Sequence, residues 1–178
     1  MTNLIPTTKA ATSPATPYIT LKSATASKLG KHANGSISYA VVCSPDRTAL
    51  FVAITDNSSG GYFSREYVLF DGVQNLVAKL DQPAFPSKAL KTAFTGKSSN
   101  NAGFLAAILH AEGLLTRAPG NEAKHVMCND WGHWKTTLLA QEGGQVSTSP
   151  ASAQTTDAPM THEKNRTLPV ARQAGRPR

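Results

Sequence analysis

Up to about residue 70 the apolar residues of this chain tend to recur at every second position; beyond it they recur every third and fourth. In 36–43, Ile37, Tyr39, Val41 and Cys43 share one face, and in 48–55 Leu50, Val52 and Ile54 do the same. Period-2 alternation is the signature of a half-buried strand. The intervening Ser44-Pro45-Asp46-Arg47 places Pro and Asp where a type I turn wants them, so these two runs predict an antiparallel hairpin. Residues 62–70 predict a third strand, with Phe63, Arg65, Tyr67 and Leu69 on one face. A shorter strand over 18–23 precedes them, followed by a polar stretch that ends at the turn signal Asn34-Gly35.

From Asp71 the spacing becomes helical. Val73, Leu76, Val77 and Leu80 form one stripe, with Asp71 placed to cap it, and Pro83 and Pro86 end it. Ser87 is placed to cap a second helix with Leu90, Ala93 and Phe94 inward, and Gly96 closes it. Ser98 or Ser99 then caps a third, whose buried stripe is Phe104, Leu105, Ile108 and Leu109, with Gly113 at its C-terminal end. Residues 124–128 and 134–140 alternate around Asn129-Asp130-Trp131-Gly132-His133, which predicts a closing hairpin. The expected fold is therefore α+β: a three-stranded antiparallel meander, three helices and a C-terminal β-hairpin. The last part has the element order of a winged helix-turn-helix, over 85–140.

Composition sets the limits of this domain. Residues 1–16 and 144–178 are rich in Thr, Ser, Pro and Ala with few large apolar residues, so they are expected to be a disordered arm and a disordered basic tail around one domain, 17–143. The chain carries 18 Lys and Arg against 11 Asp and Glu, a formal charge of +7. The domain and the tail each contribute +3, and the five tail cations all lie in 164–178. A cationic chain of this kind attracts polyanions. Two cysteines, Cys43 and Cys128, give no disulfide framework and suit a cytoplasmic protein. There is no apolar run long enough to span a membrane and no signal-peptide core near the start.

The helix order and the charge together place the expected site at the start of the third helix. In a helix-turn-helix the N-terminal residues of the recognition helix meet base edges in the major groove. Ser98, Ser99, Asn100 and Asn101 occupy that position, Asn being able to pair with adenine, and Lys97 stands ready for a phosphate. The wing would be the loop 118–123 or the turn 129–133, flanked by Arg117, Lys124, His133 and Lys135. Arg172, Arg176 and Arg178 extend the cationic surface, and Gly175-Arg176-Pro177 resembles the centre of an AT-hook, although Ala174 replaces the arginine that should precede it. A competing surface is 60–68, where Tyr62, Phe63 and Tyr67 beside Arg65 could stack unpaired bases.

Catalytic chemistry leaves no motif. There is no G-x-S-x-G, no H-E-x-x-H, no phosphate-binding loop and no dinucleotide fingerprint. His125, Cys128 and His133, with His110 or Cys43 as a fourth group, do not have a standard zinc spacing. The expectation is a non-enzymatic nucleic-acid-binding protein without metal or cofactor, most naturally a duplex-DNA regulator or accessory factor that could dimerise through its meander. The alternatives are a protein-interaction module, such as an inhibitor or adaptor, and a single-strand binder using the sheet aromatics.

Overall fold

A computed structural model describes residues 17–30 and 34–142 and, as backbone, 145–148. Strands β1 (Pro17–Ser27), β2 (Ser36–Cys43) and β3 (Leu50–Asn57) pair antiparallel in sequence order. The alternation read from the sequence is the one that packs. Ile37, Tyr39, Val41, Cys43, Leu50, Val52 and Ile54 all enter the core. The β2–β3 turn carries its own ties: Arg47 N–H donates to Ser44 O at 2.8 Å, and Asp46 accepts from the Thr48 amide at 3.2 Å. Arg47 takes a φ of 55°, closing the turn in the left-handed region.

The expected strand over 62–70 shrinks to β4, Val68–Leu69, on the far side of β3. Tyr62 to Tyr67 have no regular backbone pairing and are held by side chains instead, as described below. Helix α1 runs Phe70–Ala78, with its cap two residues earlier than expected. Leu69 occupies its cap position without a side-chain bond, and Asp71, within the first turn, instead binds Lys135 Nζ at 2.6 Å.

After the two-residue strand β5 (Phe85–Pro86), a 3-10 helix covers Ser87–Ala93, and helix α2 covers Asn101–Ala111. Gly113, at φ 70°, ends α2 and allows Leu114 N–H to reach Leu109 O at 2.8 Å. The hairpin that follows the helices is β6 (Leu115–Ala118) with β7 (Asn121–Met127), turning at Pro119-Gly120 rather than at 129–133. Residues 134–140, expected as a strand, form instead the end of helix α3, Trp131–Leu139, with Ala140 as its C-cap. Asp130 caps it by accepting the His133 amide at 2.9 Å, and Trp131, Trp134 and Leu138 follow a helical stripe, of which Trp134 and Leu138 also fit a period-2 one. Phe70 stacks on Trp131 at 5.5 Å and packs against Trp134 at 4.8 Å, locking α3 to α1.

The architecture is α+β. β4-β3-β2-β1-β8 form one sheet, and β5-β7-β6 form a second, smaller one. β8 is Gln145–Thr148, so pairing with the start of β1 continues past the expected boundary at residue 143. α2 packs on β1 and β2 on one side and on the 3-10 helix and β6 on others. It is the central element of the fold, with eight of its eleven residues buried.

Candidate functional site

The start of α2 explains the polar cluster, and the explanation differs from the expected one. Asn101 is 1 % exposed. Its side chain accepts from the Ser64 amide at 3.0 Å and donates to Ser64 Oγ at 2.7 Å and to Gly96 O at 3.3 Å. Ser98 Oγ donates to Tyr62 O at 2.8 Å, and Asn100 Nδ2 donates to the same carbonyl at 3.0 Å. A buried, fully bonded amide cannot also read a base edge, so Asn101 is removed from the expected base contacts and Ser98 and Asn100 are committed to the protein. Nor does α2 have a face to lay in a major groove, since only Gly103, His110 and Ala111 of it escape full burial.

The cluster instead pins the aromatic segment, so the two surfaces that the sequence set in competition are one. Asn57 Nδ2 holds the carbonyls of Gly60 and Gly61, and both glycines have positive φ. Glu66 accepts the amides of Thr95 and Gly96 at 2.9 and 3.0 Å. A Cβ at Gly96 would overlap Ser64 Oγ, so glycine there permits the close approach. The result is an irregular segment anchored at each end and in its middle. Tyr62 stands out from it, 68 % exposed, while Phe63 turns inward against Phe104 at 6.5 Å with the Arg65 guanidinium over its outer side at 5.3 Å. Tyr67 lies elsewhere, against Tyr18 at 4.4 Å in a cluster that also holds Phe51.

Beside this segment lies a cleft of about 550 Å³, within the range of small-ligand sites. Its walls come from the end of β1 (Lys28, Leu29), the start of α2 (Ser99, Asn100, Phe104), Ser87, and the β6–β7 hairpin (Arg117, Glu122, His125). Lys28 Nζ sits 5.2 Å over the Phe104 ring and bonds Ser59 Oγ. Arg117 donates to Glu122 O at 2.8 Å and Leu29 O at 3.2 Å, so its guanidinium is fixed across the cleft's edge. Two cations line the cleft against one carboxylate, and the amide end of α2 opens on it, so the cleft favours anionic groups.

At the cleft wall three side chains form a chain. Ser87 Oγ lies 2.7 Å from His125 Nε2, and His125 Nδ1 lies 2.9 Å from His110 Nε2. Burial holds both imidazoles below their ordinary pKa. For His110, the neighbouring His125 and then Arg117 add to burial, and the value falls to about 4; for His125, Arg117 adds to it. Both rings are neutral near pH 7.

The other expected residues separate. Lys97 and Ser99 are exposed near the Tyr62 anchor, and Ser99 also lines the cleft. Lys124, half-buried, sits opposite Pro86 on β7. Lys135 is far from this group in role: its ammonium binds both Asp71 oxygens, at 2.6 and 2.7 Å, and ties α3 to α1. Arg172, Arg176 and Arg178 lie outside the described residues. His125, Cys128 and His133 do not converge: Cys128 Sγ bonds Gly113 O at 3.1 Å, and His133 is exposed on α3. Among the described residues no group of three His, Cys, Asp or Glu is placed to hold a metal, and no helix is long and apolar enough to cross a membrane. Ser87 and Lys28 carry no expected role, Arg117 is expected only as a wing cation and His110 only as a metal candidate, because no local motif marks a cleft assembled from four distant segments.

No family model, no curated protein and no solved structure matches this chain.

Proposed function

We propose that this protein binds single-stranded nucleic acid, with an unpaired base stacked on Tyr62 and the phosphates drawn to the cationic cleft. The observation that carries this reading is the anchoring of Tyr62. Its carbonyl takes two side-chain hydrogen bonds, from Ser98 and Asn100, while its ring stays 68 % exposed. Exposing a large aromatic costs solvation, and fixing its backbone removes the ordering entropy that a floppy loop would lose on binding. Base stacking on such a ring is tolerant of sequence because every base has a π-face. Arg65 lies over the neighbouring Phe63, Lys97 is exposed next to Ser98, and Lys28 and Arg117 line the cleft, in a chain of charge +7.

Duplex recognition by a winged helix-turn-helix is the less supported form of nucleic-acid binding. The β6–β7 hairpin does follow the helices, as a wing would, with Arg117 and Lys124 on it. The helix that would read the groove is nevertheless packed on almost every side. The reading is tested by anisotropy titration of labelled oligothymidylate and a mixed-sequence duplex across a range of salt. The expected outcome is tighter binding of the single strand, weakening with salt at about 0.7 log units per phosphate neutralised for each log unit of salt. Preference for the duplex, or no binding of either strand form at low salt, rejects it.

A further inference from the structure

We propose that Ser87 is a nucleophile, activated by His125 and positioned through His110, that accepts acyl groups from carboxylic esters bound in the cleft. Three elements bring the groups together. Ser87 is the first residue of the 3-10 helix, His125 lies on β7 with Phe85 as its strand partner, and His110 is in the last turn of α2. Ser87 Oγ–His125 Nε2 at 2.7 Å and His125 Nδ1–His110 Nε2 at 2.9 Å have the order nucleophile, base and orienting group. His125 is 3 % exposed and His110 meets it edge-on at 77°, so the base is held in one orientation. Phe85 closes its other side at 6.1 Å. Ser87, only half-buried, faces the cleft.

The hydrogen bonds form a directional chain when the Ser87 hydroxyl donates to His125 Nε2 and His125 Nδ1–H donates to His110 Nε2. Because burial and Arg117 keep both rings neutral, His125 has a free lone pair for the serine proton near pH 7. In the reaction Ser87 Oγ bonds to the ester carbonyl carbon as its proton passes to His125 Nε2. The carbon–oxygen bond to the alcohol then breaks, and His125 returns the proton to the departing oxygen, leaving an acyl-serine and a free alcohol. Water, deprotonated by His125, releases the acid and restores the serine. Lys28 and Arg117 on the same cleft favour esters that carry an anionic group. The reading shares the cleft with the proposed nucleic-acid site but does not rest on it, since the probes are small molecules that need no Tyr62 stacking.

The test is covalent labelling of the full chain with a fluorophosphonate, located by peptide mass spectrometry. Ser99, exposed and lining the same cleft, is the internal control. Ser87 is expected to label about 100-fold faster or more than Ser99, the scale of general-base assistance. The rate should rise with pH below neutrality and level off once His125 is fully in its neutral form, with Nε2 unprotonated and Nδ1–H still bonded to His110. p-Nitrophenyl acetate should be cleaved by the parent chain and not by Ser87→Ala, which keeps the fold because it removes one oxygen only. Equal labelling of Ser87 and Ser99, or equal p-nitrophenol release by the parent and Ser87→Ala, overturns the proposal.

Discussion

Replacing Asn101 by Ala separates a structural pin from a base reader. The side chain is buried and makes three hydrogen bonds, at 2.7, 3.0 and 3.3 Å, to Ser64 and Gly96. Each bond contributes about 1 kcal/mol net, and the orphaned Ser64 amide costs about 1–3 kcal/mol if water cannot reach it. Alanine recovers a few tenths through helix propensity, little of it at the first helical position. The expected loss is therefore about 3 kcal/mol. For a domain of this size that lowers Tm by roughly 10 °C. Calorimetry or far-UV melting of Asn101→Ala against the parent measures it, and Ser99→Ala, at an exposed neighbour, should stay within about 0.5 kcal/mol. A melting curve for Asn101→Ala that overlays the parent, together with lost duplex binding, would refute the pin and restore the recognition helix.

Two further stability predictions follow from other parts of the fold. The unfolded chain binds protons at His110 and His125 near their ordinary pKa of 6.5, whereas folded His110 resists protonation until about 4 and folded His125 is also shifted down. The unfolded state thus holds more protons in that window, so stability should be flat above pH 7 and fall as pH drops from about 6.5 towards 4. His110→Gln should flatten this fall in urea melts taken at successive pH values; an unchanged slope contradicts the burial argument. Glu112, whose side chain is 3 % exposed, accepts from Lys22 at 2.8 Å, from Trp134 Nε1 at 3.2 Å and from the Tyr39 hydroxyl, and burial with this carboxylate pushes the Tyr39 phenol upward. Glu112→Ala strands the Tyr39 and Trp134 donors and should cost about 2–4 kcal/mol by urea denaturation, against about 1 kcal/mol for Lys22→Ala, which leaves the carboxylate both of those hydrogen bonds.

The β2–β3 hairpin was legible because alternation and turn chemistry agree there: Val41 and Val52 face the core and Asp46 braces the turn. The segment 62–67 alternates equally well but is not a strand, since side chains from Ser98, Asn100 and Asn101 bond its backbone from outside. Nothing local in Tyr62 or Ser64 signals those remote partners. The span of α3 also carries a strand pattern, because Trp134 and Leu138 fit both periods and Thr136 completes the period-2 one; Asp130, accepting the His133 amide, is the cap signal that decides for the helix. At the site, the cluster Ser98–Asn101 was visible as chemistry, but its destination was not. The Ser87–His125–His110 chain links residues 38 and 15 positions apart through sheet pairing and helix packing, which no spacing rule reaches.

Tyr62, held at its carbonyl and open at its ring, is the proposed stacking surface, and its own substitution is the sharpest test. Tyr62→Ala removes an exposed ring and leaves its carbonyl bonds to Ser98 and Asn100 in place, so Tm should change by little. Affinity for oligothymidylate at fixed salt should drop by about 1–3 kcal/mol, while Tyr62→Phe should bind as the parent does. Unchanged single-strand affinity in a folded Tyr62→Ala protein would contradict the account.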